Sequence, residues 1–189
     1  EKFFDIKCVS AGLTPAAVVL VATVRALKRH GGVPRDEIDR TDPEAVQRGL
    51  GNLQKHIENI RTFTRRPVVA LNRFATDSEA EISAVLETCA AWGVRAVVAD
   101  PWGGGGEGCL ELADTVSEVL EEGEADFEPL YPDDLSLTQK IETVAKEIYG
   151  ADGVDIDPKA AKEIGALEEA GLRDAPVCIA KTQYSFSDD

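Results

Sequence analysis

Four mainly apolar runs, at residues 18–24, 67–71, 94–99 and 176–180, are separated by stretches whose apolar positions recur every three or four residues. Short runs rich in Val and Ala, closed by polar or Gly/Pro residues, are expected of strands buried on both faces of a parallel sheet. Between the first two, Asp42-Pro43-Glu44 starts a helix with Pro in its first turn, and Val46, Leu50, Leu53, Ile57 and Ile60 supply its apolar stripe. Between the second and third, Thr76-Asp77-Ser78-Glu79 has capping-box spacing, Ile82, Val85, Leu86 and Cys89 form the stripe, and Gly93 is the stop. This alternation predicts an α/β fold, a mostly parallel sheet flanked by helices. In such sheets the carboxyl ends of the strands form one ligand-binding edge. The stretch VVALNRFATD, residues 68–77, then delivers Asn72, Arg73 and Phe74 to that edge.

Beyond Val119 the periodicity is lost in the acidic, Pro-bearing stretch LEEGEADFEPLYPDDLS. It resumes at Ser136-Leu137-Thr138-Gln139, a second capping-box spacing, with Ile141, Val144, Ala145 and Ile148 on one face and Gly150 as the stop. A shorter helix is predicted from Asp157-Pro158 to Gly171. The expected organisation is an α/β ligand-side domain at 1–122, an acidic loop and helical appendage at 123–175, and a last strand with an edge segment at 176–189.

Composition narrows the class. A chain of 189 residues with 43% hydrophobic and 29% charged residues has the profile of one folded α/β domain. The formal charge of −15 sets the overall field against nucleic acid and anionic membranes. Cys8, Cys89, Cys109 and Cys178 are widely spaced and accompanied by two histidines, which argues against a metal site and for reduced thiols in a cytoplasmic protein. No run is long enough to cross a bilayer, and the opening EKFFDIK lacks the pattern of a signal peptide. The absence of Met reads as a segment of a longer chain.

The chemistry-bearing positions gather around the predicted edge. WGGGGEG, residues 102–108, lies between a strand and a helix, where glycine amides can meet an anion or a flat ligand can approach the main chain. It has neither a Walker Lys-Ser/Thr nor the dinucleotide pattern in its proper context. Trp102 before it and Phe74 on the neighbouring strand offer two faces for a flat heterocycle, or simply cover the core. Asp77, five residues after Asn72, suits helix capping or reading a purine edge. Thr23 and Arg25 close the first strand, and Lys28, Arg29 and His30 make a local basic patch or a solvated helix end. Residues 181–189, KTQYSFSDD, add polar groups past the last strand. No triad is recognisable, so the catalytic residues are unknown.

EKFFDIKC, VVLVATVRALKRHGG, GNLQKHIENI, NRFATDSEAEI, the W-x-x-GGEG loop, KIETVAKEIYGADGV and the terminal AKTQYSFSDD together resemble formate–tetrahydrofolate ligase, also called 10-formyltetrahydrofolate synthetase, along essentially the whole chain. The resemblance implies a P-loop NTPase-like fold, here incomplete. It also implies a reaction joining formate and tetrahydrofolate at the expense of ATP through formyl phosphate, giving 10-formyltetrahydrofolate, ADP and phosphate in one-carbon metabolism. ATP with Mg2+, a monovalent cation such as K+ and a homotetrameric assembly are implied likewise. On the matching positions Phe74 and Trp102 stack on the pterin, Asn72, Arg73, Gly105 and Gly106 line the cleft, and Thr23 and Arg25 face the phosphate side.

This chain departs from the family pattern at Gly103-Gly104, where Ala-Lys is usual, at Ala75, where Pro is usual, and at Val9-Ser10, where Arg-Tyr is usual. It contains no glycine-rich Walker loop, so the segment is not expected to catalyse the ligase reaction alone. A non-catalytic folate-binding or oligomerisation module is the alternative from another class, and a P-loop relative such as a biotin-pathway ligase is a third.

Overall fold

The computed structural model describes residues 1–64 and 66–180. They form two compact units, one from Ala16–Asp126 and one from Glu1–Pro15 together with the chain from Phe127 onward.

The first unit is an α/β layer structure around a three-stranded parallel sheet in the order β1 (Val18–Ala22), β2 (Pro67–Asn72), β3 (Arg95–Ala99). Val18 is opposite Pro67 and Ala22 opposite Leu71, while Val68 is opposite Arg95 and Asn72 opposite Ala99. The carboxyl ends of the three strands are therefore level. One face carries Leu20, Ala22, Val69, Leu71, Ala96 and Val98, packed with Leu27, Val46, Leu50, Leu53, Ile57, Ile82 and Val85 from the covering helices. On the opposite face the helix Leu110–Glu121 packs on β3 and β2.

The helix Pro43–Arg61 is built as its sequence predicts, with the Asp42 carboxylate accepting from the Ala45 amide at 2.8 Å and Pro43 in the first turn. It crosses the helix Val24–His30 at backbone contact. A Cβ on Gly49 would stand 1.9 Å from the Leu27 carbonyl oxygen, and one on Gly31 1.9 Å from that of Ala45. The helix Glu79–Ala91 begins two residues later than the sequence predicts. Ser78 and Glu81 form its capping box, displacing Thr76 and Glu79. Glu81 is chosen because its carboxylate also meets the Lys28 ammonium at 2.9 Å and the Asp42 amide at 2.9 Å, with both side chains of the Lys28–Glu81 pair fully buried. Lys28 also donates to the Arg40 carbonyl at 3.0 Å, so it supplies no charge to a basic surface patch.

In the second unit Lys2–Cys8 is π-helical, and Asp5 is buried with its Oδ1 accepting from the Leu130 amide. The capping box at Ser136 and Gln139 is present, and Gly150 at φ +75° ends the helical stretch. Asp157 and Pro158 start the helix Pro158–Leu167 as expected. The fourth predicted strand, residues 176–180, is not a strand. Its polar backbone is taken by side chains instead: Tyr131 Oη accepts from the Val177 amide at 3.1 Å, and Glu1 accepts from the Ile179 amide. The buried Lys140 donates to the Ala175 carbonyl at 3.2 Å. Among the described residues no helix is long and apolar enough to cross a membrane.

Candidate functional site

At the carboxyl ends of the strands lies a cleft of about 640 Å³, walled by Arg25, Asn72, Arg73, Phe74, Trp102 and Gly103, with Ala75, Thr76, Asp100 and Pro101 between them. Residues predicted to share the edge are thus brought together from three loops. Asn72 ends β2, and the Arg73 amide donates to the Ala99 carbonyl at 2.9 Å, carrying the pairing one residue past the strand. The chain then turns back between Phe74 and Asp77. The Asp77 amide donates to the Phe74 carbonyl at 3.0 Å and the Phe74 amide donates to Asp77 Oδ2 at 2.8 Å. Asp77 is buried and is not part of the cleft wall, so its carboxylate closes the turn that presents Phe74. Burial pushes its pKa up, against the opposing effect of the Phe74 amide.

Arg25 lies in the first turn of the helix after β1, with its guanidinium carbon 4.7 Å from the centre of the Phe74 ring. Its Nη2 donates to Asp39 at 2.7 Å and to Thr76 Oγ1 at 3.4 Å. Thr23 caps that helix, accepting from the Ala26 amide at 3.1 Å, and does not line the cleft. Arg73 pairs with Glu79 at 2.8 Å. Both cleft arginines therefore hold partly exposed acids that an anionic ligand group can replace at small cost.

Trp102 projects from the loop after β3 and is 94% exposed, whereas Phe74 is 36% exposed. Asp100 organises this loop. Its Oδ1 accepts from the Gly103 amide at 2.7 Å, its carbonyl accepts from Gly104 at 3.0 Å, and its amide donates to the Gly108 carbonyl at 2.9 Å. The ring of bonds is so tight that a Cβ on Gly108 would stand 2.2 Å from the Asp100 carbonyl oxygen. Gly105, at φ +56°, and Gly106 follow in the same loop, exposed and not among the residues that line the cleft.

Sequence reading missed Asp100 and Asp39. The Asp-Pro-x-Gly spacing after β3 is a turn signal that marks Asp100. Asp39 has no local signal, since it meets Arg25 across 14 positions. His30 is exposed, and residues 181–189 lie outside the described residues. The four cysteines are free, with burial pushing the Cys89 thiol up to about 11. Among the described residues no three His, Cys, Asp or Glu side chains converge as a metal-holding group.

The sequence model of the formate–tetrahydrofolate ligase family matches residues 1–189. Curated relatives bearing that name include those of Maricaulis maris at 53% identity, Ruegeria pomeroyi at 52% and Granulibacter bethesdensis at 50%, each aligned over 100% of this chain. The chain spans about a third of the length of these relatives.

Proposed function

Because this chain belongs to the formate–tetrahydrofolate ligase family, we propose that its cleft is the pterin-binding part of an ATP-dependent ligase. The ligase would convert formate and tetrahydrofolate to 10-formyltetrahydrofolate. The observation that carries this reading is the placing of Phe74 and Trp102 on one cleft at the strand edge, with Asn72 and Arg73 beside them. Two aromatic faces suit a flat bicyclic ring, each contributing on the order of 1 kcal/mol beyond area burial, while amide and guanidinium groups orient its polar edge. Gly105 and Gly106 are assigned to the same cleft as ligand approach points on the loop backbone. Thr23 and Arg25, at the β1 end of the edge, are assigned to the phosphate side.

ATP, Mg2+, a monovalent cation such as K+, the formyl phosphate intermediate and homotetramer formation belong to the proposal for the longer polypeptide, in the cytoplasm. Among the described residues no group of three metal-ligating side chains is present to hold a resident divalent ion. This chain's own part is to bind and orient the pterin, and phosphoryl transfer is left to groups outside its sequence, which has no Walker loop. Formate-dependent ADP release by the purified 189-residue chain, given ATP, formate, tetrahydrofolate, Mg2+ and K+, would contradict that division of labour. A non-catalytic folate-binding module predicts the same cleft and the same lack of turnover; it differs in that reuniting the chain with the rest of a family polypeptide restores no ligase activity.

The binding claim is tested by quenching of tryptophan fluorescence with tetrahydrofolate. Trp102→Ala serves as the control, because Trp92 is partly buried at a helix end and contributes background. Saturable quenching that disappears in Trp102→Ala supports the pterin site, and a folded wild-type chain that shows none sinks it.

A further inference from the structure

We propose that Arg25 is a positioning residue for the aromatic wall: its guanidinium plane braces one face of Phe74 and so holds the other face toward the ligand. The inference rests on the reading of the cleft as a pterin site and gives Arg25, assigned there to the phosphate side, a separate part toward the pterin that acts through the Phe74 ring. Three contacts carry it. The guanidinium carbon lies over the Phe74 ring at 4.7 Å, within the range of a cation–π contact. Its Nη2 edge is fixed by Asp39 at 2.7 Å and Thr76 Oγ1 at 3.4 Å, and its Nε is buried without a partner. The group therefore offers the ring its plane, while Nη2 is held by the protein and Nε is sealed from solvent. A lysine at this position would keep the charge but lose the flat surface and the fork that anchors it.

The brace also explains how a ring that is 36% exposed can be ordered before a ligand arrives. The Phe74 main chain is fixed by the Asp77 turn, and the side chain is fixed from the neighbouring strand's end by Arg25. Asp39 then acts on the ring at second hand, because without it the Nη2 edge keeps only the longer bond to Thr76.

Tetrahydrofolate titrations of the full 189-residue chain, followed by tryptophan quenching, are made for wild type, Arg25→Ala, Arg25→Lys, Phe74→Ala and the double variant Arg25→Ala/Phe74→Ala. Circular dichroism and thermal unfolding confirm that each is folded. Arg25→Ala is expected to bind roughly three- to tenfold more weakly, with Arg25→Lys in between. In the Phe74→Ala background the further loss of Arg25 is expected to cost nothing, because a residue acting through the ring has no effect once the ring is gone. A full-sized loss in that background overturns the proposal by making Arg25 a direct ligand contact. Tighter binding by Arg25→Ala also overturns it, since the guanidinium would then be occupying the ligand's own place.

A second reading needs no ligand. In NMR spectra of the free chain the Arg25 side-chain signals should be shifted by the Phe74 ring current and return to ordinary positions in Phe74→Ala. Absence of that shift overturns the brace whatever tetrahydrofolate does. A wild-type chain that shows the shift and binds no tetrahydrofolate overturns the pterin reading instead.

Discussion

Glu81 concentrates the interactions of two helix starts and the last turn of a third helix on one buried carboxylate. It accepts from the amides of Asp42 and Ser78, from the Ser78 hydroxyl and from Lys28. Burial works to raise its pKa, but those four donors outweigh it and hold the carboxyl at about 2, against an ordinary 4.5. A folded-state pKa below the unfolded one means that the unfolded chain binds the proton first. The stabilisation is therefore complete above pH 4.5 and is lost as pH falls toward 2, a span worth about 3 kcal/mol. Asp5 and Asp77 work the other way, because burial raises both, and protonating them favours the folded state. Urea unfolding of wild type and Glu81→Gln between pH 6 and 2.5 separates these effects. The variant should be less stable at pH 6 and lose the acid-side slope, and parallel curves would show that Glu81 does not carry it. Lys28 was illegible in the sequence for the same reason that Glu81 matters: nothing local distinguishes it from Arg29, and only the distant carboxylate of Glu81 takes it into the interior.

At the scale of elements, helix starts were the most legible feature, because a cap is a local bargain between a side chain and amides two or three residues ahead. Asp42, Ser136 and Asp157 all cap as their spacing predicts. The exception is instructive. Thr76 to Glu79 and Ser78 to Glu81 are overlapping boxes with equal local merit, and only the long-range partners of Glu81 choose the second. Residues 176–180 misled in the converse way: none of the five is buried, and the amides of Val177 and Ile179 bond to side chains rather than to a neighbouring strand. Helix crossings were not legible at all. Gly49 and Gly51 sit two apart in one helix, but Gly49 meets the Leu27 carbonyl while a Cβ on Gly51 would meet nothing within 4 Å. Replacing either by Ala gains about 1 kcal/mol of helix propensity. At Gly51 that gain is expected as a higher melting temperature. At Gly49 a 1.9 Å approach to backbone forces the helices apart, so a net loss of about 2 kcal/mol is expected in the same experiment. Stabilisation by both substitutions would mean that the crossing is looser than backbone contact.

At the scale of the whole molecule, the parallel topology and the gathering of Asn72, Arg73, Phe74 and Trp102 at the carboxyl ends of the strands followed from the sequence, because buried runs and βα alternation constrain both. The joining of the first 15 residues to the unit that begins at Phe127 did not, since its contacts, such as Asp5 with Leu130, span more than a hundred positions. Coverage of the sheet is uneven in a way the sequence also hid. On the face where Val68 and Ala70 of β2 are buried, their β1 neighbours Val19 and Val21 are 39% and 63% exposed, and the Leu110–Glu121 helix packs on β3 and β2. Among the described residues, β1 is paired in the sheet with β2 alone. An apolar edge strand with one bare face favours pairing with another chain. The isolated chain is therefore expected to self-associate as its concentration rises, visible as a growing weight-average mass in sedimentation velocity. Val19→Lys with Val21→Lys should suppress that association. Both side chains point away from the core that Leu20 and Ala22 join, so the sheet itself should survive, as unchanged far-UV circular dichroism would confirm. A wild-type mass that stays monomeric at every concentration would show that β1 is protected in solution. Association unaffected by the two lysines would move the contact elsewhere on the molecule.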